Sequence, residues 1–225
     1  MVKFTGTDLV CYRGERTVFQ GLTFGLGGGE AVMLRGANGS GKSSLLRLMA
    51  GLGRPLSGVI GWQGQSIADD PEAHNARLHY IGHHDPVKPV LTVAENLGFW
   101  AALRSPKEDT NAVMAALERL GIGHLAGVPG RFLSAGQKRR VNLARVLASS
   151  ADLWLLDEPQ TALDKAAEHS FFDAIAEHRS NGGMVVMSSH ADKNLADAME
   201  IDLGKFQQEA RSGGAATGTK QEVQA

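Results

Sequence analysis

The stretch that decides the fold is AVMLRGANGSGKSSLLRLMAG, residues 31–51. A short apolar strand, AVMLR, runs into the pattern G-x-x-x-x-G-K-[ST], and the periodic run KSSLLRLMAG after it predicts a helix. Glycines let such a loop aim its backbone N–H groups at phosphates, while Lys42 is expected on the β- and γ-phosphates and the Ser43 hydroxyl on Mg²⁺. The motif therefore predicts a nucleoside triphosphate site. Its predicted members are Gly36, Ala37, Asn38, Gly39, Ser40, Gly41, Lys42, Ser43 and Ser44.

Length, charge and cysteine content limit the classes of function. The chain has 225 residues, which suit one α/β domain, and its formal net charge of -1 argues against nucleic-acid binding through a general basic surface. A single cysteine, Cys11, excludes a disulfide framework. No apolar run reaches the roughly 18–20 residues of a membrane helix, and the first residues lack the apolar core of a signal peptide. We therefore expect a cytoplasmic protein.

The rest of the chain alternates between strand and helix patterns. The first thirty residues and the run 78–83 predict strands, and the run 58–67 predicts a hairpin. From about 92 to 150 the apolar period is helical, starting with a capping box between Thr92 and Glu95. Then come the strand LWLLDEP, a helix of about fifteen residues, the strand MVVMSSH and a short final helix. This order predicts an α/β fold with an antiparallel portion.

Composition suggests where the domain ends. We predict one nucleotide-binding domain over residues 1–204, with a helical subdomain at about 85–150. Residues 205–225 are rich in Gly, Ala, Thr and Gln and poor in large apolar residues. Such a segment lacks the apolar surface that would offset the entropy of ordering, so we predict a disordered tail.

Three polar residues follow apolar strands, at the edge where parallel sheets bind ligands. Asp157 ends the strand LWLLD and is placed to hold Mg²⁺. Glu158 comes next and is predicted to orient or deprotonate the attacking water. His190 ends the strand MVVMSSH, where a neutral imidazole could hydrogen-bond the γ-phosphate. Together with Lys42 they predict ATP hydrolysis.

These motifs carry a family resemblance. The phosphate loop, LSAGQ (133–137), LLDEP (155–159), TALD (161–164) and the strand-end histidine occur in the order and spacing of ATP-binding cassette (ABC) ATPases. The chain resembles that family up to about residue 204. The resemblance implies an ABC-type P-loop NTPase fold, in which a RecA-like core carries an antiparallel β subdomain and a helical subdomain.

The resemblance also implies a second set of nucleotide contacts. The turn SAGQ opens a helix whose free N–H groups can bind an anion. In ABC ATPases this signature turn binds the γ-phosphate of ATP held by the other protomer, so one loop and one signature imply a homodimer. Tyr12 is implied to stack on adenine. The remaining implied nucleotide-binding residues are Ser134, Ala135, Gly136, Gln137 and Asp164, the last along the dimer seam.

One position departs from the family pattern. ABC ATPases carry a glutamine that touches Mg²⁺ and water before the helical block, and in YIGHHDP we place His84 there. A neutral histidine lacks the reach of glutamine, and a protonated one opposes the charge of the metal. We therefore expect ATP binding to survive and His84 to alter the rate or pH dependence of hydrolysis.

Longer stretches resemble one branch of the family. YIGHH followed by LTVAENLGFW, FLSAGQKRRVNLAR and LWLLDEPQTALD look like the ATP-binding subunits of the cytochrome c biogenesis haem exporter, the CcmA family. The resemblance implies a peripheral ATPase on the cytoplasmic face of the bacterial inner membrane. Its implied partners are CcmB-, CcmC- and CcmD-like membrane subunits and a CcmE-like haem chaperone.

Other interpretations stay open from the sequence. They are the ATPase of another small-molecule ABC transporter and a soluble ABC protein acting on nucleic acid or the ribosome. Direct haem binding is not expected, because the adjacent His83 and His84 point to opposite faces of an extended strand. The segment 85–104, which is apolar for a surface region, is the expected contact with a membrane partner.

Overall fold

The computed structural model describes residues 2–104, 110–189 and 195–207. Two sheets and a set of helices make up this part of the chain. The strands are β1 (Val2–Arg13), β2 (Arg16–Gly27), β3 (Ala31–Arg35), β4 (Ser57–Trp62), β5 (Gln65–Ser66), β6 (Leu78–Ile81), β7 (Leu153–Asp157), β8 (Met184–Ser188) and β9 (Met199–Asp202). The helices are α1 (Lys42–Met49), α2 (Pro71–Ala76), α3 (Val93–Ala102), α4 (Thr110–Arg119), α5 (Ala135–Leu147) and α6 (Lys165–Ser180). Two short 3₁₀ turns lie at Gly123–Leu125 and Gly130–Phe132.

The first sheet is antiparallel and has the strand order β2-β1-β4-β5. The hairpin predicted for 58–67 is present, with Gly61 opposite Ser66 and Trp62 opposite Gln65. The long hairpin of β1 and β2 turns between Arg13 and Arg16, and its tip borders the cleft described below.

The second sheet has the order β6-β7-β8-β3-β9, and all of its neighbouring pairs are parallel. Parallel strands end at the same edge of a sheet, and ligands bind there. The strands that matter for the site are β3, β7 and β8. They deliver the glycine-rich loop, the two acids and Ser188 to one edge.

The inner strands β3, β7 and β8 of the parallel sheet are buried on both faces, so they are nearly continuous apolar runs. Along β7, Leu153 and Leu155 join a core shared with the antiparallel sheet and α1. Trp154 and Leu156 join a second core formed with the helices α3 to α6. This period of two follows from the alternation of side chains along a strand, and it holds the site edge between two packed layers.

The helices between β6 and β7 form as predicted. Thr92 and Glu95 make the capping box at the start of α3, with the Thr92 N–H donating to Glu95 Oε2 at 2.8 Å. On α4, Val113 and Leu117 are buried, as is Leu120 just beyond its end. The predicted α/β fold class, with its parallel core, antiparallel sheet and helical portion, is confirmed.

Two elements were not predicted. Helix α2 is six residues long and buries only His74, so it has no apolar stripe to detect. Strand β9 pairs with β3 although its segment is mostly polar. Residues 195–198 form a turn, and the rest of the predicted short final helix lies outside the described residues. The described chain is helical over 203–207, and 208–225 also lie outside the described residues.

Among residues 2–104, 110–189 and 195–207, no helix combines the length and the apolar character that crossing a bilayer requires.

Candidate nucleotide-binding and hydrolysis site

The glycine-rich loop connects β3 to α1 in conformations that suit glycine. Gly36 and Gly41 have φ of 128° and 109°, the left-handed half of backbone space that L side chains rarely adopt. A Cβ on Gly41 would also lie 2.7 Å from Val18 Cγ1. The loop can therefore curl tightly in front of α1, where the Ser40 N–H donates to Ala37 O at 3.1 Å. A glycine-rich loop at a helix N-terminus is suited to an anion.

Lys42 folds back over this loop. Its Nζ donates to Gly36 O at 2.8 Å and to Ala37 O at 3.2 Å. An ammonium has three N–H donors, so these two bonds leave one for a phosphate oxygen. Burial lowers the pKa of Lys42, and the nearby charges of Glu158 and Asp157 act in the opposite direction. The Ser40 Oγ is buried and has no hydrogen-bond partner among the described residues, which fits a loop shaped for phosphate.

The two predicted acids lie at the end of the fully buried strand β7. Asp157 has no exposed surface; its Oδ1 accepts a bond from Ser188 Oγ at 2.7 Å, and Ser188 Oγ accepts the Glu158 N–H at 3.0 Å. Asp157 Oδ2 is buried without a hydrogen-bond partner among the described residues. A buried carboxylate oxygen without a hydrogen bond suits a divalent cation, because a buried charge needs compensation.

Glu158 stands in a strained conformation, with φ of 47°. A non-glycine residue there costs about 1–3 kcal/mol and is typical of functional sites. The strain turns the chain sharply at the end of β7, and the Glu158 side chain lines the cleft in front of the loop. His190, predicted beside it, lies outside the described residues. Its neighbour Ser189 is described and accepts a bond from Gln160 Nε2 at 2.8 Å.

The histidine beside Ser43 and Asp157 is His83, so the placement of His84 there is wrong. His83 Nε2 lies 3.1 Å from Ser43 Oγ and 3.1 Å from Asp157 Oδ2. His84 turns elsewhere, and its carbonyl accepts from Asn142 Nδ2 on α5 at 3.5 Å. Both histidines lie in a bend just after β6, which ends at Ile81, and in this bend only His83 contacts Ser43 and Asp157 among the described residues. The position where β6 ends decides which of the two histidines does so.

One ligand atom from each of His83, Asp157 and Glu158 lies within 4.8 Å of the others. With the nearby Ser43 hydroxyl, these atoms form a group that could hold a metal ion.

A cleft of about 790 Å³ lies in front of the loop. Four segments line it: the β1–β2 hairpin, the glycine-rich loop with the start of α1, and the residues that follow β6 and β7. The lining residues are Arg13, Gly14, Arg16, Val18, Asn38, Gly39, Gly41, Lys42, Ser43, Ser44, His83 and Glu158. Tyr12 is 53% exposed on β1 beside this mouth but is not part of the lining. Arg13 and Arg16 were missed by sequence reasoning, although a pair of cations around a hairpin glycine suits a polyphosphate.

A second cleft of about 740 Å³ lies at the opposite, amino-terminal ends of β7 and β8, and it contains none of the loop residues. The phosphate chemistry therefore belongs to the first cleft.

The signature turn lies at the N-terminus of α5. Ser134 Oγ accepts the Gln137 N–H at 3.2 Å, and Gln137 Oε1 accepts the Ser134 N–H at 2.8 Å, which makes a capping box. Ala135 is the first helical residue and has no positive φ, so alanine fits where the family has glycine. At Gly136, by contrast, a Cβ would lie 2.9 Å from Ala162 O. No residue of 134–137 is among the described residues that line the cleft.

Asp164 lies beside the signature helix. It caps α6 by accepting the Ala167 N–H at 2.9 Å, and its other oxygen accepts from Arg140 of α5 at 2.6 Å. The Ala167 N–H, followed by Arg140, lowers the pKa of Asp164. More than half of the Asp164 side chain is exposed. The contact fixes the TALD turn against the helix that presents the signature.

Arg139 is a residue that sequence reasoning missed. It is 4% exposed and crosses from α5 to the ends of β6 and β7. Its guanidinium donates to Gly82 O, Asp85 Oδ1, Asp157 O, Glu158 O and Pro159 O, at 2.8–3.4 Å. It therefore anchors both the backbone that turns His83 toward the loop and the backbone that carries the acids. A basic helix face was the only signal in the sequence, and it does not distinguish Arg139 from its exposed neighbours.

Comparison with known proteins identifies the family to which the chain is similar. Residues 19–161 match the ABC transporter family. The cytochrome c biogenesis ATP-binding export protein CcmA of Paramagnetospirillum magneticum is 58% identical over 205 residues, covering 90% of this chain and 94% of that protein. CcmA of Rhodospirillum rubrum is 55% identical over 203 residues, covering 90% and 86%. A putative ABC transporter ATP-binding protein from Pyrococcus furiosus has a TM-score of 0.79 at 29% identity, covering 91% and 98%.

A phosphate loop facing two strand-end carboxylates, on a fold shared with ABC ATP-binding proteins, defines an ATPase of the ABC class. Nucleotide binding follows from that class. Within it, the chain belongs to the CcmA family of cytochrome c biogenesis ATP-binding export proteins. The predicted family and enzyme class are confirmed.

Proposed function

We propose that this chain is the ATPase subunit of a membrane complex for cytochrome c maturation, in which two copies hydrolyse Mg-ATP to drive release or export of a haem-loaded chaperone. The observation that carries the proposal is the buried Asp157 Oδ2, which has no hydrogen-bond partner among the described residues and lies at the edge of the Lys42 loop, in a chain 58% identical to a CcmA protein. The carboxylate at the loop supports ATP hydrolysis, and the sequence identity supports a role in cytochrome c maturation.

Hydrolysis of ATP needs positioning and charge stabilisation more than covalent chemistry. Lys42 and the loop N–H groups bind the β- and γ-phosphates, while Arg13 and Arg16 add positive charge at the mouth of the cleft. Ser43 Oγ and Asp157 Oδ2 would hold Mg²⁺, which when bound neutralises charge on the phosphate oxygens. Glu158 orients the attacking water and accepts its proton, and His190 is proposed to hydrogen-bond the γ-phosphate.

The signature supports a two-copy arrangement. Its residues are held rigidly at the N-terminus of α5, yet they do not line the cleft of their own chain. A helix N-terminus with an exposed serine is suited to an anion that arrives from outside. We place Ser134, Ala135, Gly136 and Gln137 on the γ-phosphate bound by a second copy. Asp164 then lies at the seam, and Tyr12 packs on the adenine.

An exposed apolar surface supports docking to a membrane-embedded subunit. Val90 lies before α3 and is 75% exposed, Phe99 lies on α3 and is 39% exposed, and Leu103 lies just after α3 and is 65% exposed. Leu97, also on α3, is fully buried and belongs to the core. Exposed apolar groups that cluster in this way are typical of partner sites. We propose CcmB-, CcmC- and CcmD-like subunits and a CcmE-like chaperone as the assembly, with this ATPase on the cytoplasmic face of the inner membrane.

The test uses a Glu158→Gln chain, tagged and expressed in its native host, which should bind ATP but not hydrolyse it. Membranes are extracted in mild detergent with Mg-ATP, and the co-purifying proteins are identified by mass spectrometry. The matched control adds Lys42→Ala to the same chain, which should remove nucleotide binding. Recovery of CcmB- and CcmC-like proteins with the first chain, reduced with the control, supports the proposal.

Other recoveries would contradict it in separate ways. Recovery of the permease of a solute importer would be consistent with an ABC ATPase but would refute the role in cytochrome c maturation. Recovery of ribosomes or DNA without any membrane protein would refute the membrane complex itself.

A further inference from the structure

The atoms around His83 have the spacing of metal ligands. His83 Nε2 lies 3.1 Å from Ser43 Oγ and 3.1 Å from Asp157 Oδ2. Around an octahedral ion with bonds of about 2.1 Å, neighbouring ligand atoms are about 3.0 Å apart. The contact with Asp157 lacks hydrogen-bond alignment, so Oδ2 stays buried without a hydrogen-bond partner among the described residues. Two oxygen donors therefore lie at ligand spacing from one nitrogen donor, His83 Nε2.

A nitrogen at this position changes which ions the site prefers. Mg²⁺ is a hard cation that prefers oxygen ligands, whereas imidazole suits transition metals such as Co²⁺, Ni²⁺ and Zn²⁺. Neutral histidine can accept at Nε2 when the proton is on Nδ1, which is also the tautomer in which it accepts from the Ser43 hydroxyl. Half of the His83 side chain is exposed, so water can solvate the rest of the ring.

We propose that His83 Nε2 is a direct ligand of the metal ion that accompanies the bound nucleotide. The site then favours Co²⁺ over Mg²⁺ more strongly than the same site with an amide oxygen at residue 83. This inference rests on the proposed nucleotide site, because the phosphates complete the coordination of the ion.

The chain provides its own matched control, because His84 is the same residue type and is not among the described residues that line the cleft or could hold the metal ion. The full-length chain, His83→Gln and His84→Gln are each loaded with Mn²⁺ and ATPγS, and pulsed EPR records nitrogen couplings to the Mn²⁺. Labelling all histidines with ¹⁵N distinguishes imidazole from other nitrogens. The expected result is a histidine coupling in the wild type and in His84→Gln that disappears in His83→Gln. A wild-type spectrum without histidine coupling, or a coupling that persists in His83→Gln, overturns the proposal.

Competition between Co²⁺ and Mg²⁺ for the ATPγS-bound protein gives a second readout. The ratio of the two dissociation constants should shift toward Mg²⁺ by about tenfold in His83→Gln, which corresponds to about 1.4 kcal/mol, and should not shift in His84→Gln. An equal ratio in all three proteins contradicts the proposal. If His83→Gln does not fold, the spectrum of the ¹⁵N-labelled wild type decides alone.

Fluorescent ATP binding in the same samples keeps the two hypotheses apart. A chain that binds no nucleotide with any metal refutes the proposed function. A chain that binds nucleotide without a histidine coupling refutes only the ligand role of His83.

Discussion

Replacing Arg139 by methionine is the most informative single change, because Arg139 connects the signature helix to both strand ends of the site. Methionine has a similar length and keeps the apolar contacts of the side chain, but it removes five hydrogen bonds from a residue that is 4% exposed. Each buried acceptor left without a partner costs about 1–3 kcal/mol, and these costs are not additive. Breaking a buried charged network costs about 3–5 kcal/mol, so we expect Arg139→Met to lower the free energy of unfolding by about 4 kcal/mol.

The change should also affect hydrolysis more than binding. The carbonyls of Asp157 and Glu158 lose their anchor, whereas Lys42 keeps its own bonds to the loop. We expect kcat to fall by at least about tenfold, or about 1.4 kcal/mol in the barrier, while the dissociation constant for ATP changes by less than about threefold.

Urea unfolding, fluorescent ATP binding and single-turnover hydrolysis measure these three quantities. Arg139→Lys is the control, since it keeps the charge but cannot form the forked set of bonds, and it should lie between the wild type and methionine. A loss below about 1 kcal/mol in Arg139→Met, with unchanged kcat, would refute the anchoring role.

Three further changes test the stability and geometry that the site depends on. Burial lowers the pKa of His79 to about 3. Below a pH of about 6.5, His79 therefore takes up a proton in the unfolded chain but not in the folded chain. The free energy of unfolding decreases as the pH is lowered. Urea unfolding at several pH values should show that His79→Gln loses about 1.6 kcal/mol less stability than the wild type between about pH 6.5 and 5; equal losses in the two proteins would contradict the assignment. Gly136→Ala should destabilise the fold by about 1–3 kcal/mol and slow hydrolysis, because its Cβ would lie 2.9 Å from Ala162 O. The adjacent Ala135→Gly should cost no more than about 1 kcal/mol, and equal effects in the two unfolding curves would argue against the close contact. Thr92→Ala removes the cap of α3 and should cost about 1 kcal/mol by the same assay, with no change in ATP affinity.

The parts of the site that a local motif dictates could be predicted from the sequence. The loop follows β3 and Asp157 ends β7, and both are short buried strands. The positions of the loop and of Asp157 at the sheet edge therefore depend only on where these two strands end. The capping boxes of α3 and α5 are likewise determined by residues three apart.

Features that depend on side-chain direction beyond a strand end could not be predicted. Which of His83 and His84 faces the loop depends on β6 ending at Ile81, and no residue pattern marks that boundary. The role of Arg139 arises from contacts across more than fifty residues of sequence, with Gly82 and Asp85. Helix α2 had a usable local signal that was missed, because Asp70 is an N-cap followed directly by proline.

ATPase complementation between two inactive chains tests most directly whether two copies of this chain share each ATP site. Lys42→Ala disables the phosphate loop, and Ser134→Arg disables the signature. If each site combines the loop of one copy with the signature of another, a mixed dimer retains one intact site.

Each variant alone should then be inactive. An equal mixture should recover about one quarter of wild-type activity, because half of the dimers are mixed and each has one working site. Native mass spectrometry checks that mixed dimers form. A site shared between two copies requires this recovery of activity, and mixed dimers without any recovery would contradict it.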